Sequence, residues 1–169
     1  MQYLCLDTNI PLLDVNNLIE LGSQPDTVIV LPETVLDELD SKKSGHSEVA
    51  FQARSFGRLI ARCPQPERVV HNDLTITKFN SNGVLIWVAA LSTYPNFKDL
   101  SSNILNDRKI IEVALSFAKY YQPVTFVSND VMCRIRADSL GLNVTDFKVV
   151  DKVDYEFTKT LEVSEGTFR

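Results

Sequence analysis

No apolar run in this chain approaches the roughly 20 residues that a membrane-crossing helix needs. The opening Met1-Gln2-Tyr3-Leu4 also lacks the basic region that precedes a signal-like core. The expectation is a soluble, cytoplasmic protein with no membrane partner. Cysteine is scarce: Cys5 lies in an apolar run, while Cys63 and Cys133 fall in helical patterns. An odd, scattered set of three argues against a disulfide framework and for buried thiols. Positive charge is short as well, with a formal net charge of -5. That balance argues against gripping nucleic acid through bulk positive charge, although bound cations reverse the local field at an acidic site. Internal repeats, low-complexity tracts and a Gly-Lys-Ser/Thr phosphate loop are all missing, so no ATPase domain is present in the sequence. The pairing of Cys63 with His71 is too sparse for zinc.

What is present suits one globular domain. The 169 residues are 44% hydrophobic and 23% charged, enough for a core that folds without staples. Residues 3–6 read as a short buried strand, with Asp7-Thr8-Asn9 as turn and cap chemistry. Helical spacing over 10–21 ends at Gly22. A second buried strand spans 27–31, and Pro32 opens a helix through Asp40. A polar, basic loop over 41–46 leads to a helix over 47–63, capped by Ser47 and stopped by Pro64 and Pro66. Segments 75–79 and 84–88 read as a hairpin around Asn80-Ser81-Asn82-Gly83 and have the character of an insertion. The stretch 93–103 reads as a loop, after which Asn106 or Asp107 starts a strong helix through Ala118. A strand over 124–127, a helix over 130–140 stopped by Gly141, and a strand over 144–150 complete the pattern. The expected organisation is one domain over 1–150, with an inserted hairpin and loop over about 68–103 and a polar tail or linker over 151–169.

Alternating strands and helices, with strands that show no inside-outside alternation, point to an α/β fold. It should be a three-layer α/β/α arrangement with a mostly parallel central sheet and an inserted β-hairpin. In such sheets the working crevice lies beyond the carboxyl ends of the strands. Asp7 follows the first strand, Glu38 comes shortly after the second, and Asp130 follows a later one. Asp107, opening the helix that leads back into that strand, starts at the same edge. Spacing alone leaves Glu38 and Asp40 as alternatives flanking the inward face of their helix, with Asp37 pointing away. Gathered carboxylates repel, and folds that gather them usually do so around cations.

The segments Leu6-Asp7-Thr8-Asn9, Val35-Leu36-Asp37-Glu38-Leu39-Asp40, Asn106-Asp107-Arg108-Lys109-Ile110 and Val127-Ser128-Asn129-Asp130 resemble the signature of PIN-domain nucleases. The likeness is greatest to the N-terminal PIN domain of PhoH-type ATPases, supported by Gln52-Ala53-Arg54 and by Arg134-Ile135-Arg136-Ala137-Asp138 before Leu140-Gly141. It spans roughly residues 1–60 and 104–150. The resemblance implies a metal-dependent endoribonuclease in which Asp7, Glu38, Asp107 and Asp130 bind one or two Mg²⁺ or Mn²⁺ ions. Asn9 and Ser128 would orient these carboxylates or water from behind. His46 and His71 fall outside the acidic motifs, which speaks against a histidine-driven cleavage. The implied partners are RNA, a second copy of the chain in a homodimer, and an ATPase or helicase. Lys42, Lys43 and Arg108 are candidates for contact with the substrate backbone; Arg54, Arg58, Lys109, Arg134 and Arg136 are weaker members of the same basic set.

Plainer roles compete for each residue. Asp7, Asp107 and Asp130 all suit helix caps, Glu38 suits a flanking charge, and the basic residues suit solvated helix faces. Trp87 and Phe79 suit packing more than base stacking. At the level of the whole protein, a catalytically silent PIN-fold RNA-binding or scaffold module is the alternative to a nuclease. A phospho-acceptor receiver domain fits less well, because Asp7 stands alone after the first strand and Ser128-Asn129-Asp130 replaces the late lysine that such a domain needs.

Overall fold

The computed structural model describes residues 1–98 and 100–147. Its centre is built by two strands that are apolar after their first residue, β1 (Gln2–Leu6) and β2 (Thr27–Pro32). Cys5, Leu6 and Val28 to Leu31 are all fully buried. A strand with no polar face must be covered on both sides, which a parallel sheet between helices provides. Helices α1 (Asn9–Leu13), α2 (Asn16–Gly22), α3 (Glu33–Ser41), α4 (Glu48–Ala61), α5 (Ser102–Phe117) and α6 (Val131–Ser139) supply that cover. Here α1 packs on α2 and α4, and α3 packs on α5. No described helix is long and apolar enough to cross a membrane.

The remaining strands are β3 (Glu67–Val70), β4 (Leu74–Ser81), β5 (Val84–Leu91), β6 (Val124–Val127) and β7 (Asn143–Thr145). Together the seven form one sheet in the order β3-β4-β5-β2-β1-β6-β7. Strands β5, β2, β1, β6 and β7 run parallel, and β4 pairs antiparallel with both β3 and β5. The chain therefore builds outward from β1 in one direction through β2 and β5, then returns to the other side of β1 for β6 and β7. That reversal makes the carboxyl end of β1 the switch point of the sheet, the place where open α/β sheets leave a crevice.

Four expectations change in detail. The helix read over 10–21 is two helices, because Asp14 adopts an extended conformation between them. Its Oδ1 accepts from Asn16 N, and the freed Val15 N donates to Gln52 Oε1 at 2.7 Å. These side chains offer the backbone an alternative to a continuous helix. Second, α5 begins at Ser102, inside the stretch read as a loop, so Asp107 lies in its second turn rather than opening it. Third, the hairpin forms, but β5 pairs with β2 over Val28 to Pro32 and is an interior strand of the main sheet. Trp87 accordingly packs in the core among Tyr3, Phe117 and Tyr121. Fourth, the last strand is Asn143–Thr145, and the part of the reading that falls on 148–169 lies outside the described residues. Gly22 fits where β5 starts, since a Cβ there would lie 2.5 Å from Val84 Cγ1. Gly141, at φ +98°, ends α6 in the left-handed conformation that glycine tolerates.

Candidate metal centre

Asp7 leaves the sheet at the switch point. Its N–H donates to Val127 O at 2.9 Å, extending the pairing with β6 one residue beyond Leu6. Its carboxylate is then buried and accepts three hydrogen bonds: from Thr8 N to Oδ1 at 2.8 Å, from Ser128 Oγ to Oδ2 at 2.7 Å, and from Asn9 Nδ2 to Oδ2 at 3.4 Å. The cap position of α1 belongs to Thr8, so Asp7 is no helix cap. Ser128, itself fully buried, also accepts from Asp130 N at 3.1 Å and so links the ends of β1 and β6.

Three further elements bring acids to the same place. Glu38, on α3, accepts from the Thr8 hydroxyl through Oε1 and from Asn106 Nδ2 at 3.3 Å through Oε2. Asp40 instead pairs with Lys43 at 2.7 Å and is exposed, as is Asp37, so Glu38 is the residue of this helix that joins the cluster. Asp107 projects from α5, where packing of α3 on α5 sets its neighbour Asn106 against Glu38. One oxygen of Asp107 meets Arg136 Nη1 at 3.1 Å. Asp130 does cap α6, as the plain reading allowed, with Oδ1 accepting from Met132 N and Cys133 N at 3.0 and 3.3 Å. Asp107 Oδ1 and Asp130 Oδ2 accept no hydrogen bond among the described residues.

Titration follows from this crowding. Burial raises the Asp7 carboxyl above the ordinary carboxylate range; the Ser128 and Thr8 hydrogen bonds oppose the rise, and Glu38 and Asp130 add to it. The Asp107 carboxyl is pushed up to about 6, first by burial, then by Asp7 and Asp130, with Arg136 opposing and Glu38 adding a little. Of the four acids only Asp107 forms an ion pair among the described residues, an arrangement short of positive charge.

Of the residues expected behind the acids, Asn9 and Ser128 both bond Asp7. The three candidates for substrate contact make no ion pair or hydrogen bond with these four acids among the described residues. Lys43 is held by Asp40, Lys42 is exposed at the end of α3, and Arg108 turns to Glu112 at 3.7 Å and to the Phe97 ring at 5.1 Å. Arg54 serves structure, donating to the carbonyls of Lys43 and Gly45. Gln52 does likewise, holding Val15 N while donating to Glu48. Sequence reasoning missed Thr8 and Asn106 as partners of Glu38, and Arg136 as the counter-charge of Asp107. It also missed Cys133, whose thiol stands within 4.8 Å of ligand atoms of Asp7 and Asp107. Position after a strand end was a signal for Thr8; the others depend on how α3, α5 and α6 meet.

Comparisons with known proteins bear on the family and the fold. A family model described as a PIN domain matches residues 4–148. Protein PhoH2 of Bacillus subtilis is 31% identical over 173 residues, covering 96% of this chain. Protein PhoH2 of Thermobispora bispora is 25% identical over 165 residues, covering 94%. The chain spans 38% and 34% of the lengths of these two relatives. A solved domain of a functionally unknown protein from Methanocaldococcus jannaschii superposes with a TM-score of 0.58 at 19% identity, covering 88% of this chain and 93% of that one. That likeness concerns the fold. Matched over most of its length by the family model, and over nearly all of it by PhoH2 proteins, the chain belongs to the PIN-domain family and is related to PhoH-type proteins.

Proposed function

We propose that this domain is a divalent-metal-dependent endoribonuclease that hydrolyses single-stranded RNA, with Asp7, Glu38, Asp107 and Asp130 holding one or two Mg²⁺ or Mn²⁺ ions. The observation that carries the reading is the convergence of four carboxyl groups, from four elements, on the switch point of the sheet, with an ion pair at Asp107 alone among the described residues. Hydrogen bonding alone does not account for it, because the partly buried Asp107 leaves Oδ1 without a donor among the described residues.

The donor set fits hard cations, which take oxygen ligands from carboxylates. When bound, such ions offset charge on phosphoryl oxygens and make water a competent nucleophile near neutral pH. The chain supplies the rest. Ser128 and Asn9 fix the orientation of Asp7, Thr8 and Asn106 fix Glu38, the α6 backbone fixes Asp130, and Arg136 fixes Asp107. Burial of Asp7 keeps bulk water from one side of the cluster. An acidic domain repels phosphates until cations occupy this site, which ties substrate binding to metal binding. The likeness to PhoH-type proteins supports an ATPase or helicase as working partner.

The test is incubation of single-stranded RNA with purified protein and Mn²⁺ or Mg²⁺. The expected products arise from internal cuts, and excess chelator stops their formation. Cutting that persists in chelator overturns the metal mechanism. Binding of RNA without any cutting, with either ion, favours the silent scaffold instead.

A further inference from the structure

A fully buried thiol stands inside the acidic cluster. Cys133 is 0% exposed, and one ligand atom from each of Asp7, Asp107 and Cys133 lies within 4.8 Å of the other two. Among the described residues no hydrogen bond reaches its sulfur, whereas the Cys63 thiol donates to Leu59 O. The backbone that carries it is anchored at the same site, because Asp130 caps α6 partly through Cys133 N at 3.3 Å. Cys5 is equally buried and lies two residues before Asp7, yet it is not a member of this group.

Two donors on opposite sides of one ion stand up to about 4.4 Å apart, taking roughly 2.1 Å for a metal–oxygen bond and about 2.3 Å for a metal–sulfur bond. Only one pair of three donors can stand on opposite sides, the other pairs closing to roughly 3 to 3.8 Å, so ligand atoms that lie within 4.8 Å of one another reach a single ion with shifts of up to about 1 Å. We infer that Cys133 is a third donor to the ion held by Asp7 and Asp107, tilting this centre toward thiophilic divalent cations and away from Mg²⁺. The inference rests on the carboxylate-site reading above and adds a residue and a selectivity to it. As the sulfur–metal bond forms, the S–H bond breaks and its proton passes to solvent, so one proton is released for the thiolate formed. Mg²⁺ prefers oxygen ligands and keeps its waters, so sulfur offers it little; a softer ion gains a strong bond.

The experiment uses the whole chain carrying Cys63→Ser, to remove the half-buried thiol outside the cluster, and titrates it with Cd²⁺, Mn²⁺ and Mg²⁺. The expected result is an ultraviolet thiolate-to-cadmium band on adding Cd²⁺ that excess Mn²⁺ displaces. A further Cys133→Ser change should remove the band and weaken Cd²⁺ binding at least about tenfold, while Mg²⁺ binding moves by no more than about twofold. The band and its displacement are read on protein with Cys133 in place, so they hold even if the serine variant folds poorly. No band, or one that Cys133→Ser leaves intact, overturns the inference while Asp7-dependent Mn²⁺ binding preserves the carboxylate site. If none of the three ions binds in a manner sensitive to Asp7→Asn, the carboxylate site falls and the inference falls with it.

Discussion

Asp107 near the start of α5 and Asp73 near its end titrate in opposite directions. Asp73, in the turn between β3 and β4, receives Lys119 Nζ at 2.6 Å, Tyr120 OH at 2.5 Å and Ser116 Oγ at 2.7 Å. Those donors, Lys119 foremost, hold its carboxyl well below the ordinary range. Beside it, His71 stacks on Tyr120 and shares a hydrogen bond with the Tyr121 hydroxyl, so the whole turn is fastened to the end of α5. Asp107 is more buried, meets one arginine and three other acids, and is pushed up to about 6. Asp73 has a cation against it, whereas the acids around Asp7 receive neutral donors and one ion pair, at Asp107. Acids gathered with so little positive charge cost stability, and such a cost points to a ligand that offsets it.

The largest expected contrast comes from neutralising one acid in each place. Asp7→Asn should reduce metal-dependent RNA cleavage at least about a hundredfold, since bound cations contribute several kcal/mol to a phosphoryl transition state. In chelator its Tm should equal or exceed that of the parent, because a repelling charge has gone. Asp73→Asn should do the reverse, lowering Tm and leaving cleavage unchanged. Thermal melts and gel-based cleavage on the two variants decide the point, and an Asp7→Asn protein that cuts as fast as the parent would end the comparison.

Proton linkage sharpens it next. Because the folded-state pKa of Asp107 is raised from 3.8 to about 6, the folded protein holds this proton more tightly than the unfolded chain does. Metal-free stability should therefore fall as pH rises from about 4 to about 6, by roughly 1 to 2 kcal/mol after allowing for partial exposure. Asp73, with its pKa lowered, acts in the other direction: its contribution is present above the ordinary carboxylate range and is lost as pH falls through its folded value. Melts in chelator across this window should show the Asp107 slope shrink in Asp107→Asn and persist in Asp73→Asn. Saturating Mn²⁺ should remove it, since binding displaces the proton.

Much of this was legible beforehand. The run 3–6 and the run 27–31, apolar after Thr27, announced buried parallel strands, and strand-end position singled out Asp7 and Asp130. The rest depended on contacts between distant segments. The break at Asp14 arises because Gln52, 37 residues away in sequence, takes up the Val15 N–H. The choice of Glu38 over Asp40 rests on Thr8 and Asn106, which reach the same helix from two other elements. Cys133 looked like an ordinary apolar position of a helix, and that is how it packs; only the approach of Asp7 and Asp107 gives it a second character.

The smallest expected effect concerns the exposed loop after α3. If Lys42 and Lys43 lead the RNA backbone toward the acids, replacing both with alanine should weaken RNA binding alike for all sequences. It should also lower the salt dependence by up to about two phosphate contacts, leaving Mn²⁺ affinity unchanged. Binding isotherms at several salt concentrations measure this, and an unchanged slope assigns the two lysines to solvated surface, where Lys43 already pairs with Asp40.

Anomalous diffraction from crystals soaked in Mn²⁺ tests the central claim most directly. The account predicts a peak at the carboxyl end of β1, within coordinating distance of Asp7 and Asp107 and adjacent to Glu38 and Asp130. Density for Mn²⁺ only elsewhere on the molecule, with these four carboxyl groups free of it, would contradict it.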